Sequence, residues 1–283
     1  MEFYKYHALG NDYIVIDPQH APDLLLTPER IRLICHRNFG VGSDGILYGP
    51  LFEDGQIRLR IFNPDGSEAE KSGNGIRIFS KYLVDAGYLS KNQFSLDTAG
   101  GRVAVELLNT QATLIRVNMG VVTFWSERIP VTGSPREVVN EPLSLPGGVF
   151  RVTCLSLGNP HCVVPLPNIS KELACELGPS IENHPQFPKR INTQLVQVLD
   201  RHNIRIEIWE RGAGYTLASG SSSSAAACAA YKLGLVDPEL TVHMPGGTIT
   251  IAILPDWHVL MSGSVSYVAR GQLSAEFQSD INR

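Results

Sequence analysis

Polar and apolar positions along the chain follow two periods. Phe3–Tyr6, Tyr13–Ile16 and Ile57–Phe62 read as strands, the last because Ile57, Leu59 and Ile61 alternate with polar neighbours. Ile204, Ile206 and Ile208 alternate in the same way. Other stretches carry the helical period. Thr27-Pro28-Glu29 is a helix start, with Thr as N-cap and Pro at the first helical position, and Ile31, Ile34 and Cys35 follow at helical spacing. Ile76, Phe79, Tyr82 and Leu83 predict a second helix closed by Gly87, and Ala225–Leu233 a third closed by Gly234.

These elements occur twice in one order. Gly10-Asn11-Asp12-Tyr13-Ile14-Val15 is matched by Gly158-Asn159-Pro160-His161-Cys162-Val163. Ser72-Gly73-Asn74-Gly75 opens an apolar segment 61 residues after Asn11, and Ser219-Gly220-Ser221-Ser222 opens an Ala-rich one 60 residues after Asn159. Gly-Gly pairs follow at Gly100, 28 residues past Ser72, and Gly246, 27 past Ser219. Each leads into an alternating run, Arg102–Glu106 and Thr248–Ala252. One Gly-Asn match means nothing, but three ordered blocks at matching spacing predict a duplicated chain. The expected fold is α+β: two pseudo-symmetric domains, each a mostly antiparallel or mixed sheet wrapped around a central helix. The boundary falls near Met119–Val121, giving residues 1–118, completed by 266–283, and residues 119–265. Ile129–Gly148 belongs to the early part of the second half.

Length and composition narrow the class. The 283 residues suffice for one large or two medium domains, 43% apolar and 18% charged content is ordinary for a globular chain, and a net charge of −4 argues against a nucleic-acid surface. No run approaches the ~18 apolar residues of a membrane span, and the start has no signal-peptide plan. The five cysteines, Cys35, Cys154, Cys162, Cys175 and Cys228, are odd in number and predict free thiols in a reducing cytoplasm. No Cys-x-x-Cys pair predicts a metal, and no nucleotide or pyridoxal site is indicated.

The helix starts carry the candidate chemistry. A helix N-terminus offers unpaired N–H groups and a positive dipole end, and glycine lets a ligand approach them. Ser72-Gly73-Asn74-Gly75 and Ser219-Gly220-Ser221 are therefore candidate anion seats, expected by pseudo-symmetry to face each other. Composition alone reads both serines as helix caps. A serine linker at Ser219–Ser224 is disfavoured by the helix that follows, and a P-loop by the absence of Gly-Lys-Ser/Thr.

Leu9-Gly10-Asn11-Asp12, Gly40-Val41-Gly42-Ser43-Asp44, Phe62-Asn63-Pro64-Asp65-Gly66-Ser67-Glu68, Asn118-Met119-Gly120, Gly158-Asn159-Pro160-His161, Glu210-Arg211-Gly212-Ala213-Gly214 and Met244-Pro245-Gly246-Gly247 resemble the diaminopimelate epimerase family over essentially the whole chain. The resemblance implies a cofactor-independent amino-acid epimerase that converts LL-diaminopimelate to the meso form, with a homodimer as a plausible assembly. One residue removes the α-proton and its counterpart supplies a proton to the opposite face. In the family both are cysteines, at the positions of Ser72 and Ser219. By resemblance, Gly73-Asn74 and Gly220-Ser221 hold the reacting carboxylate, and His161 and Glu210 tune proton transfer. Asn11, Asn63, Asn159, Asn192, Glu210 and Arg211 recognise the substrate's amines and carboxylates.

This chain departs from the pattern where it matters most. A thiol is drawn down to thiolate at a helix N-terminus, whereas a serine hydroxyl is a far weaker acid. Each replacement is expected to cost several orders of magnitude in proton exchange. Cys162 and Cys228 read as packing residues rather than substitutes. A glutamine expected after Asp44 is Gly45, and an acidic residue expected after Gly214 is Tyr215. Three readings stay open: an epimerase impaired at both bases, an isomerase of another amino acid using another base such as Glu210 or His161, and a non-catalytic amino-acid binder.

Overall fold

A computed structural model describes residues 1–22 and 24–281. It begins with β1 (Glu2–Ala8), β2 (Asn11–Ile16), α1 (Pro28–Cys35), β3 (Ile46–Glu53), β4 (Gln56–Phe62), β5 (Glu68–Ala69), α2 (Gly73–Asp85), β6 (Gln93–Thr98), β7 (Gly101–Leu107) and β8 (Leu114–Val121). Then come β9 (Glu141–Leu145), β10 (Gly148–Ser156), β11 (Pro160–Pro165), α3 (Lys171–Glu182), β12 (Asn192–Asp200), β13 (Asn203–Glu210), β14 (Gly214–Thr216) and α4 (Gly220–Lys232). The chain closes with β15 (Glu239–Met244), β16 (Gly247–Ile253), β17 (His258–Ser264), β18 (Ser266–Gln272) and α5 (Ala275–Ile281). It divides into two compact units: Met1–Val117 with the segment from Gly263 onward, and Asn118–Ser262. The last two residues of the expected 266–283 segment lie outside the described residues.

In the first unit β1 lies antiparallel to both β18 and β2, with Tyr4 opposite Arg270 and Val15. β2 runs parallel to β3, and β3 antiparallel to β4. β4 takes the short β5 antiparallel and β6 parallel, and β6, β7 and β8 meander. In the second unit β9 pairs antiparallel with β10, and β10 with β11. β11 runs parallel to β12, which pairs antiparallel with β13. β13 takes the short β14 antiparallel and β15 parallel, and β15 pairs antiparallel with β16. Counted from β1 and from β10, the pairing types run in one order: antiparallel, parallel, antiparallel, short antiparallel, parallel, antiparallel. The doubling in the sequence thus has a counterpart in connectivity, and the architecture is a sheet-dominated α+β fold with few helices.

Each unit has one helix enclosed by strands. α2 packs against β1, β2 and β3, and is buried from Gly73 through Leu83. α4 packs against β10, β11, β12, β13, β15 and β16, with Gly220 and Ser222–Ala230 buried. A helix buried all round carries no polar stripe, which is why α4 reads as nearly pure alanine and serine. The sequence reading began this helix at Ala225, but it begins at Gly220. The hydroxyls of Ser223 and Ser224 donate to the carbonyls of Ser219 and Gly220, at 2.8 and 2.9 Å, so the serines form its first turn.

α3 is an element that the sequence reading did not contain. Its apolar face, Ala174, Leu177 and Ile181, joins a core with Cys154, Cys162, Ile191 and Leu195. Gly178 and Pro179 interrupt its helical signal. Cys162 and Cys228 are fully buried. Among the described residues no helix is long and apolar enough to cross a membrane.

Candidate functional site

The first helix start is built around Ser72. It is the N-cap of α2, extended at φ −139° and ψ 116°, and its Oγ accepts from the Gly75 N–H at 3.0 Å. The seat that follows is Gly73-Asn74-Gly75, all buried. A side chain at Gly75 would crowd Ser72 itself, since a β-carbon there would lie 3.3 Å from Oγ.

Asn11 and Asn74, predicted from two successive blocks of the first half, are brought together. Asn74 Nδ2 donates to Asn11 Oδ1 at 2.9 Å, and Asn11 Nδ2 donates to Asp44 at 2.9 Å. Arg77, fully buried in α2, donates to Asn74 Oδ1 at 2.8 Å, and burial pulls its pKa down to about 10. Asp44 also receives Arg37, which bridges to Asp12. Both amides are therefore oriented by charged groups behind them, an arrangement that fixes which face each presents. Arg77 is missing from the sequence reading, and Asp44 enters it only as part of a loop motif, with no role assigned. Their signal is an arginine inside the apolar run Ile76-Arg77-Ile78 and an aspartate after two loop glycines.

Asn63 stands apart from this network. Its N–H bonds the Ser67 carbonyl at 2.8 Å and its Nδ2 donates to the Ser67 hydroxyl at 2.9 Å, closing the Pro64–Gly66 turn.

The second helix start is built around Ser219. It caps α4, accepting from the Ser222 N–H at 3.3 Å, and its hydroxyl lies 3.4 Å from that of Ser221. Ser221 accepts from Asn159 Nδ2 at 3.4 Å, and Asn159 Oδ1 meets His161 Nε2 at 3.0 Å. Burial pushes the Glu210 carboxyl above its ordinary range, opposed by a hydrogen bond from Ser219. Ser219, Gly220, Ser221, Asn159, His161 and Glu210 thus form one connected set.

With Asn159 Oδ1 as acceptor, His161 Nε2 carries the hydrogen. Burial pulls the His161 pKa down to about 3, with Gln194 opposing and the Arg211 charge assisting. The ring is neutral at physiological pH, so it is not an acid reserve. This sets an acid dependence. The unfolded imidazole takes a proton below about pH 6.5, whereas the folded one waits until about 3. Stability falls as pH drops through that window, by up to about 1.4 kcal/mol per unit from this group. Glu210 acts in the opposite sense, since a raised carboxyl stabilises the fold at low pH. Urea titrations from pH 7 to 4 are expected to show a shallower loss in His161→Gln than in the parent. Equal slopes would show that His161 does not titrate in this way.

Asn192 is opposite His161 in the parallel pairing of β11 and β12. Its Nδ2 donates to the Pro160 carbonyl and its Oδ1 accepts the Arg211 N–H, both at 2.9 Å. Arg211 is exposed and donates through Nη1 to the Lys189 carbonyl at 2.9 Å, so its guanidinium rests on the surface rather than in the set around Ser219. The turn from Glu210 to Gly214 is anchored by Glu182, which accepts from the Gly212 N–H at 3.0 Å and the Trp209 indole at 2.7 Å. Tyr215 donates its hydroxyl to Glu207 at 2.7 Å. Among the described residues no group of three His, Cys, Asp or Glu side chains could hold a metal ion.

A family model described as diaminopimelate epimerase matches residues 3–125 and 153–268. Diaminopimelate epimerase 2 of Nostoc sp. (strain PCC 7120 / SAG 25.82 / UTEX 2576) is 57% identical over 277 residues, which cover 98% of this chain and 96% of that protein. Diaminopimelate epimerase 1 of the same strain is 39% identical over 279 residues, covering 96% and 99%. Among solved structures, a hydroxyproline epimerase from Agrobacterium vitis with bound trans-4-OH-L-proline aligns with a TM-score of 0.71 at 14% identity, covering 96% of this chain and 90% of that one. A phenazine biosynthesis protein of Bacillus anthracis aligns at 0.67 and 17% identity, covering 97% and 99%. These two show a shared fold.

Proposed function

Because the chain belongs to the diaminopimelate epimerase family, an isomerase family, we propose that it binds diaminopimelate and interconverts its LL and meso forms at a strongly reduced rate, without a cofactor. Ser72 and Ser219 stand at the two base positions, one for each face of the α-carbon. The observation that carries this reading is the pair of capped helix starts: in both, the cap hydroxyl sits beside backbone N–H groups suited to a carboxylate.

The surrounding residues take the roles that the family resemblance implies. Gly73-Asn74 and Gly220-Ser221 hold the reacting carboxylate through helix-terminal N–H groups. Asn11 and Asn159 are pre-oriented polar contacts, and Asn63 and Asn192 complete them once substrate displaces their present partners. Arg211 swings from the Lys189 carbonyl to clamp the distal carboxylate, where a bidentate pair is strongest. His161, held neutral, and Glu210, raised by burial, modulate proton transfer at Ser219.

Removal of an α-proton requires a base, and a serine hydroxyl is a poor one. Substrate binding, in contrast, rests on backbone and amide groups that serine leaves intact. That separation favours a second reading, a non-catalytic amino-acid-binding relative. Incubating the protein with LL-diaminopimelate in deuterated water, with calorimetry on the same sample, tests both. Binding with slow α-deuterium uptake is the expected result. Binding with no uptake at all supports the second reading, and no binding overturns both. Exchange at the speed of a cysteine-bearing relative would show that hydroxyl acidity does not limit the reaction.

A further inference from the structure

Beyond the positions that the family resemblance supplies, one side chain reaches a cap serine from another strand. Tyr13, on β2, places its hydroxyl 3.3 Å from Ser72 Oγ. The ring is nearly fully buried, at 6% exposure. It lies there because residue 45 is glycine. A β-carbon at Gly45 would fall 2.7 Å from Tyr13 Cε1 and 2.4 Å from the Phe62 carbonyl oxygen, so any larger residue would collide with both. The glycine is pinned in place. Its carbonyl accepts from the Ile14 N–H at 3.1 Å and from the Ser43 hydroxyl at 2.8 Å, and the Asp44 N–H donates to the Asp12 carbonyl at 2.9 Å. Gly45 and Tyr13 are therefore one feature: absence of a side chain at 45 makes the berth for the phenol.

The two cap serines are thus each joined to a group of a more acidic chemical class. Ser219 is joined to the Glu210 carboxyl, and Ser72 to the Tyr13 phenol. An ordinary phenol has a pKa of about 10, far below that of an aliphatic hydroxyl.

We propose that Tyr13 is a positioning residue that acts through Ser72, forming a two-oxygen proton relay in the first unit. The proposal rests on Ser72 being a proton-transfer position, as argued above. In the forward step the substrate's α-C–H bond breaks and its proton goes to Ser72 Oγ. The hydroxyl proton of Ser72 passes to the Tyr13 phenolate oxygen, and the electron pair stays on the α-carbon, spread into the carboxylate. In the reverse direction the Tyr13 phenol reprotonates Ser72 as Ser72 delivers its proton to carbon. The relay starts from the Tyr13 phenolate, whose proton has first gone to solvent, so the effective base strength is that of a phenolate rather than an alkoxide.

The test uses the full chain, LL-diaminopimelate and deuterated buffer. Tyr13→Phe retains the ring and removes one oxygen, and its fold is checked by circular dichroism. α-Deuterium uptake is expected to drop at least tenfold at saturating ligand, while the calorimetric Kd changes less than threefold. The rise of uptake with alkaline pH is expected to disappear as well. Ser72→Ala should lose as much, and the double variant Tyr13→Phe/Ser72→Ala should lose no more than Ser72→Ala alone, because both atoms belong to one relay. Unchanged uptake in Tyr13→Phe, an unaltered pH profile, or losses that multiply in the double variant would each overturn the relay. A parent chain that binds ligand but exchanges nothing also overturns it. A parent chain that binds no ligand instead overturns the substrate reading on which it rests.

Discussion

Restoring thiols at both cap positions, Ser72→Cys together with Ser219→Cys, is expected to raise α-proton exchange on LL-diaminopimelate by about a thousandfold or more. The basis is acidity. A free thiol has a pKa of about 8.5, and one at a helix N-terminus is drawn lower, so a substantial fraction is ionised at neutral pH. Both caps offer that setting: Ser72 and Ser219 accept from the N–H groups of Gly75 and Ser222 in the first turns of α2 and α4. A thousandfold corresponds to about 4 kcal/mol of barrier. The single variants separate the two faces. Each is expected to give far less inversion than the pair, since epimerisation needs a competent donor opposite the competent base. Deuterium uptake followed by mass spectrometry, with chiral separation of the products, reads both quantities. If the double variant binds but does not exchange, the defect lies outside these two atoms, and an isomerase of another substrate becomes the better account.

Gly178→Val is expected to destabilise the fold by about 3 kcal/mol, the upper range for overpacking a core. A β-carbon at 178 would lie 2.4 Å from Trp209 Cγ and 2.7 Å from its Cβ, atoms that cannot swing aside as a flexible chain end can. The damage is also directed. Trp209 donates to Glu182 Oε2, while Glu182 Oε1 accepts from Arg190 and from the Gly212 N–H. Displacing the indole therefore disturbs the strand end and turn that carry Glu210 and Arg211. Urea denaturation gives the stability change, and calorimetry gives the accompanying loss of ligand affinity. A cost under about 1 kcal/mol would mean that the indole has more freedom than this packing allows.

The repeat was legible in the sequence because its markers are local. Capping serines, turn glycines and alternating runs each fix backbone conformation within a few residues, and their spacing then implies a shared strand order. The residues around Ser219 were named through the family resemblance, because turn offsets alone read His161 as an ordinary turn histidine. Residues whose placement depends on distant partners were not legible. Tyr13 looks like any strand aromatic until Gly45, from another element, opens its berth. Arg211 is a clamp by resemblance, yet its guanidinium lies on the Lys189 carbonyl. α3 escaped because Gly178 and Pro179 mask its period, and the close approach of Trp209 explains the glycine only once the packing is known.

The pairing of β1 with β18 has a consequence for how the molecule is made. A ribosome delivers Met1–Val117 first, but the strand that covers β1 is synthesised after Ser262. All of Asn118–Ser262 is contiguous, so it can fold as soon as it clears the exit tunnel. The nascent first unit meanwhile carries an unpaired strand edge through some 145 residues of translation. The half begun first is thus finished last, and its open edge is the point at which a chaperone has most to protect.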